Sequence, residues 1–146
     1  MVADDAALFR AGISRLLADA GFDVTAQVAD ADALLDAVDR DPPDAVVVDI
    51  RMPPTHTTEG LAAAQTLAAR HPGMGVLVLS AHVEPHYAMR LVESGASGTG
   101  YLLKERVADP GELADAVRRV AALGGELSVR SPRGRGTRVT ATVPCA

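Results

Sequence analysis

The chain predicts an α/β fold, a parallel sheet covered by helices on both faces. Two short runs, Val46-Val47-Val48 and Val76-Leu77-Val78-Leu79, are wholly apolar. They are rich in β-formers and have no polar alternation, as strands buried on both sides require. Amphipathic segments of helical period separate these and the other strand-like runs, so that strand and helix alternate five times up to Gly125. Right-handed crossovers then bring the C-terminal end of every strand to one edge of the sheet.

In chain order, Met1-Val2-Ala3 is a short first strand closed by Asp4-Asp5. A helix follows from about Ala6 to Ala20, with Phe9, Ile13, Leu16 and Leu17 on one face and Gly21 just past its end. A strand near Asp23–Ala29 leads to a helix near Asp32–Asp39, stopped by Asp41-Pro42-Pro43. The Asp44–Ile50 strand runs into a loop, Arg51–Glu59, and a helix over Gly60–Arg70 that ends before Pro72-Gly73. After the Val76–Leu79 strand, closed by Ser80, come a helix near Glu84–Ser94 and a strand over Gly98–Leu103. The last helix opens on Asp109-Pro110-Gly111-Glu112, which places an acid at the N-cap, proline at N1 and glutamate at N3. It stops at Gly124-Gly125.

Charge collects where the strands end. Asp49 closes the valine run, Asp4 and Asp5 close the first strand, and Lys104 follows Gly100-Tyr101-Leu102-Leu103. The crevice beyond the carboxyl ends of the strands is where open α/β sheets bind ligands. Three acids and a lysine there suit a divalent cation and a phosphoryl group. Magnesium takes oxygen ligands, commonly carboxylates completed by water and phosphate, and a lysine acts as a point charge toward phosphate oxygens.

The bulk composition agrees with a folded domain. With 146 residues, 48% hydrophobic and 23% charged, the chain fits one domain with a small appendage and is too apolar to be disordered. No apolar run approaches the ~18 residues of a membrane span, and no secretory leader opens the chain. The lone Cys145 leaves no internal disulfide framework, so a reducing, cytoplasmic setting is expected. The net charge is −5, but from Glu126 onward Arg130, Arg133, Arg135 and Arg138 face a single glutamate. An acidic body does not attract nucleic acid by its field, and the basic tail has no aromatic residue to stack on bases.

The ordered set of motifs resembles the receiver domain of two-component response regulators over about Val2–Gly125. It comprises Asp4-Asp5, Val46-Val47-Val48-Asp49, Met52-Pro53-Pro54, Leu79-Ser80-Ala81 and Tyr101-Leu102-Leu103-Lys104. The segment from Met52 to Gly60 is similar to the NarL/LuxR-type subfamily. The resemblance implies a flavodoxin-like, doubly wound five-stranded parallel sheet of order 2-1-3-4-5 with five helices. It also implies a phosphorelay role, with Asp49 as the acceptor of a phosphoryl group from a sensor histidine kinase. By the same resemblance Asp4, Asp5, Asp49 and the backbone carbonyl of Arg51 would hold Mg²⁺. Lys104 would contact the phosphoryl group, and Ser80 and Tyr101 would form the switch. Such a protein is not a kinase or other enzyme beyond its own phosphorylation, and output would pass through a homodimer or a partner protein. The last helix, with Leu113, Val117, Val120 and Ala121, is a candidate pairing face.

Simpler roles compete at each position. Asp49 could cap its loop, Asp4-Asp5 could cap the first helix, Lys104 could be solvated, Ser80 could be a turn residue, and Tyr101 could be static filler. His56 and His82 lie on loops near the site without partners at ligand spacing, and Cys145 reads as an inert thiol.

Two features depart from the resemblance. The first strand is shorter than receivers usually have, which should cost several kcal/mol of buried area at about 25 cal/mol per Å²; a longer reading frame would supply the difference. The chain also has no room after Gly125 for a helix-turn-helix, which argues against direct DNA binding. Residues 126–146 instead read as a β-hairpin around Pro132-Arg133-Gly134-Arg135-Gly136, or a mobile tail, following a receiver over 1–125. This tail resembles the last hairpin of a histidine-kinase ATP-binding domain, without that domain's ATP-gripping motifs. The alternative function is a truncated transcriptional regulator acting as a non-phosphorylated interaction module.

Overall fold

The computed structural model describes residues 1–93 and 98–124. The elements are β1 (Val2–Ala3), α1 (Ala7–Asp19), β2 (Gln27–Val28), α2 (Ala31–Arg40), β3 (Ala45–Asp49) and α3 (Glu59–Arg70). They continue with β4 (Gly75–Ser80), α4 (Pro85–Glu93), β5 (Thr99–Leu103), a 3₁₀ turn over Lys104–Ala108, and α5 (Pro110–Gly124). The strands form one parallel sheet in the order β2-β1-β3-β4-β5. The hairpin expected over 126–146 lies outside the described residues.

The two-residue period of the strands divides the core in two. Val46, Val48, Val76 and Val78 point to one face, where Leu34 and Val38 of α2, Leu61 and Leu67 of α3, and Tyr87 and Leu91 of α4 cover them. Val2, Val47, Leu77 and Leu79 point to the other, against Ile13 and Leu17 of α1 and Leu113, Val117 and Val120 of α5. The last three residues are at most 4% exposed. Three members of the pairing face expected on α5 are therefore committed to the interior, because the apolar stripe of this helix is what binds it to the sheet. Each of the five helices contributes to one of the two cores, and no described helix is long and apolar enough to cross a membrane.

The strand expected over Asp23–Ala29 contracts to Gln27–Val28. Among the described residues its sole neighbour in the sheet is β1, whose paired length is two residues, with Val2 opposite Gln27 and Ala3 opposite Val28. A strand cannot extend its ladder beyond its partner, so Phe22 and Val24 pack against the α1/α5 core instead. Backbone hydrogen bonds still lengthen the pairing of β1 at both ends. Met1 O accepts from Val47 N at 2.9 Å, and Asp4 N donates to Val28 O at 3.1 Å.

Helix ends follow the local chemistry. Gly21, at φ +98°, takes the left-handed conformation just past α1. Asp109 Oδ1 accepts from Gly111 N at 3.0 Å at the start of α5. Glu112, placed to reach back toward the cap, is taken by Arg106 Nη1 at 2.7 Å. Gly60, at the start of α3, donates its N–H to Ile50 O at 2.8 Å. A β-carbon there would overlap the Asp49 carbonyl, so glycine lets α3 begin directly against the end of β3.

Candidate functional site

Parallel strands ending at Ala3, Asp49 and Leu103 bring Asp4, Asp5, Asp49 and Lys104 to one edge of the sheet. Carboxylate oxygens of the three aspartates lie within 4.8 Å of one another. Asp4 and Asp49 are buried, at 1% and 6% exposure. Lys104 Nζ stands 3.0 Å from Asp4 Oδ2 and 3.3 Å from Asp49 Oδ2. It also lies 4.6 Å from the centre of the Phe9 ring, a cation–π contact.

Asp4 is held from several sides. Its Oδ1 accepts from Ala6 N at 2.9 Å, a local turn ahead of the helix; the N-cap of α1 is Ala6 and carries no side-chain cap, so Asp4 does not cap the helix as the simpler reading had it. Its backbone carbonyl accepts from Arg10 Nη1 at 2.7 Å. Burial pushes the Asp49 carboxyl above the usual carboxylate range; Lys104 opposes that shift, the neighbouring Asp4 adds to it, and the Arg51 backbone N–H opposes it.

A single ammonium cannot balance three ionised carboxylates in a partly dry site. All three side chains offer hard oxygen donors, and the third, Asp5, remains 32% exposed at the mouth. This donor set fits a magnesium-like cation, which keeps several waters and takes few carboxylates.

Ser80 and Tyr101 meet at a common acceptor. Ser80 Oγ donates to His82 O at 2.7 Å and Tyr101 Oη donates to the same oxygen at 3.1 Å. Glu84 N in turn donates to Tyr101 Oη at 3.4 Å. Ser80 is buried and Tyr101 is half-buried. The Arg51 side chain pairs with Glu84, its Nη2 donating to both carboxylate oxygens at 2.9 and 3.0 Å.

Sequence reasoning missed three contacts at the site. Phe9 was expected only on the core face of α1, yet its ring underlies Lys104. Glu84 had no assigned partner. His56 brings Nε2 to 2.9 Å from Asp5 Oδ2 across 51 positions of sequence. No spacing rule signals such a contact, which depends on the path of a loop.

The fold and the acidic edge define a signalling receiver, a class in which a doubly wound sheet presents carboxylates at its strand ends. The chain belongs to the response regulator receiver domain family, whose pattern matches residues 1–118. It is 40% identical over 122 residues to transcriptional regulatory protein DegU of Brevibacillus brevis, covering 83% of this chain and 49% of that protein. It is 39% identical over 84 residues to a protein-glutamate methylesterase/protein-glutamine glutaminase of Haloarcula marismortui, covering 58% of this chain and 22% of that protein. Among solved structures, the signal receiver domain of the response regulator NarL from Mycobacterium tuberculosis superposes with a TM-score of 0.71 at 32% identity, covering 82% of this chain and 92% of that one. The chain thus spans half or less of the length of these two curated relatives, and NarL/LuxR-type regulators are among its homologues. The match to the receiver family does not extend into residues 126–146, where the kinase-like hairpin was expected.

Proposed function

We propose that this chain is a phosphoryl-accepting receiver of a two-component system, phosphorylated on Asp49 by a sensor histidine kinase in the cytoplasm. The convergence of Asp4, Asp5, Asp49 and Lys104 within one small volume carries the reading. A carboxylate oxygen of Asp49 attacks the phosphorus of a phosphohistidine. The P–N bond breaks as the P–O bond forms, and the departing imidazole keeps the electron pair and takes up a proton. Mg²⁺, held by Asp4, Asp5, Asp49 and the Arg51 carbonyl, would neutralise charge on the transferring group.

The chain's own residues do the rest. Lys104, already 3.3 Å from Asp49, exchanges a carboxylate partner for phosphoryl oxygens. Ser80 turns its hydroxyl from His82 O toward the new phosphoryl group. Tyr101 then loses the neighbour that shares its acceptor and changes rotamer, altering the surface around α4 and β5. Output passes to a second copy or another protein. The interior position of Leu113, Val117 and Val120 means that a contact face must use other residues. We assign no DNA contact to residues 1–124 and no catalysis beyond self-phosphorylation.

Incubation with acetyl phosphate and Mg²⁺ tests the reading. The expected product is a hydroxylamine-sensitive acyl phosphate that Asp49→Asn lacks. Absence of any adduct on the intact chain would leave the non-phosphorylated interaction module as the better description.

A further inference from the structure

The β3–α3 loop reaches the acidic edge through one side chain. His56 Nε2 lies 2.9 Å from Asp5 Oδ2. A carboxylate can only accept, so the imidazole donates through Nε2–H. Asp5 is the most exposed of the three clustered acids and, among the described residues, has no other side-chain partner given by the geometry around it. Without a tether, such a side chain samples several rotamers.

The loop is arranged to deliver this contact. His56 has φ +55°, the left-handed region that non-glycine residues rarely occupy. Its N–H donates to Met52 O at 2.9 Å. On either side, Thr55 N and Thr57 N donate to the Glu59 carboxylate at 2.8 and 3.1 Å, and the two threonine hydroxyls lie 2.7 Å apart. The Glu59 carboxyl is held down at about 2, first by its hydrogen bond from Thr55. His56 sits at the tip of this clasp.

We infer that His56 is a positioning residue for the divalent-cation site: it fixes the orientation of Asp5 from outside the set of metal ligands. Its nitrogen is not among the ligand atoms that lie mutually within 4.8 Å, which places it beside that set rather than in it. Hydrogen bonds of this kind to metal-binding side chains are typically worth about 10–100-fold in affinity. The inference rests on the cation site proposed above.

Binding of Mn²⁺ alone, followed by loss of the free-ion electron paramagnetic resonance signal, tests it. His56→Ala should weaken binding about 10-fold, and His56→Gln, which retains an N–H at similar reach, should recover most of the loss. His71→Ala, which removes a histidine paired with Asp39 at the far end of α3, should bind as the parent does. With acetyl phosphate, His56→Ala should raise the Mg²⁺ concentration for half-maximal phosphorylation and leave the saturated rate unchanged. Unchanged or tighter Mn²⁺ binding by His56→Ala, or equal weakening by His71→Ala, would overturn the inference while leaving the cation site intact. A parent protein that binds no Mn²⁺ would overturn the site itself.

Discussion

Ser80 and Tyr101 donate their hydroxyls to one oxygen, the carbonyl of His82, at 2.7 and 3.1 Å. The two residues proposed as a switch are thus already coupled through a shared acceptor. A carbonyl has two lone pairs, so it keeps a side-chain donor when either hydroxyl leaves and loses both only in the double variant.

That sharing predicts a non-additive pair. Tyr101→Phe and Ser80→Ala each remove a hydroxyl that makes two hydrogen bonds, and each should cost about 1–2 kcal/mol in urea unfolding. The double variant should cost more than the sum by about 0.5 kcal/mol or more, the excess reporting the abandoned carbonyl. Strict additivity would mean that the two hydroxyls act independently.

Asp49 provides a pH test. Its folded-state pKa is raised, chiefly by burial. Below the ordinary carboxylate range of about 4 the side chain is protonated in folded and unfolded chains alike, and its burial brings no charge penalty. As pH rises the unfolded chain loses its proton first, so stability is lost as pH climbs through the folded-state pKa. Asp49→Asn should therefore be more stable than the parent at pH 7, with the gap closing below about pH 4. Mg²⁺ should narrow the gap at pH 7 by favouring the ionised carboxylate. Thermal melts across this range, with and without Mg²⁺, provide the measurement.

Much of this geometry was legible in the sequence because it follows from topology. Once Val46–Val48 and Val76–Leu79 read as buried parallel strands, the residues closing them had to share an edge, and Asp4, Asp49, Ser80 and Lys104 do. The length of β2 was not legible, because it is limited by the pairing of β1 rather than by its own β-propensity. The apolar stripe of α5 was legible as a stripe, but period alone does not say whether it faces the sheet or a second copy; packing against Leu77 and Leu79 decided that. The contacts of His56 and Glu84 depend on loop paths, where no hydrophobic period constrains the chain.

Gly60 marks where close approach is required. Its position leaves no space for a β-carbon beside the Asp49 carbonyl, and Ile50 O would be 3.0 Å away. Both obstacles are backbone, which cannot yield as a side chain would. Gly60→Ala should destabilise the fold by about 3 kcal/mol, the upper end of ordinary overpacking, and disturb Asp49 as it does so. Chemical denaturation reads the first effect. A change of less than about 0.5 kcal/mol, the range of a neutral surface substitution, would show that α3 can start elsewhere.

Phe9 and Lys104 provide the last test, because the ammonium serves two masters: the acids in front of it and the ring beneath. Phe9→Leu keeps an apolar side chain on α1 and removes the ring face, so it should cost about 0.5–1 kcal/mol of stability. Lys104→Met goes further, withdrawing the charge that opposes the rise in the Asp49 pKa. Its Asp49 should titrate higher than in the parent, and its stability deficit should be larger at pH 7 than at pH 3, where the carboxylates need no counter-charge. Side-chain carboxyl titration by nuclear magnetic resonance separates the two variants, since Phe9→Leu should move the Asp49 pKa far less than Lys104→Met. Equal shifts would show that the ammonium acts on Asp49 only when the Phe9 ring holds it in place.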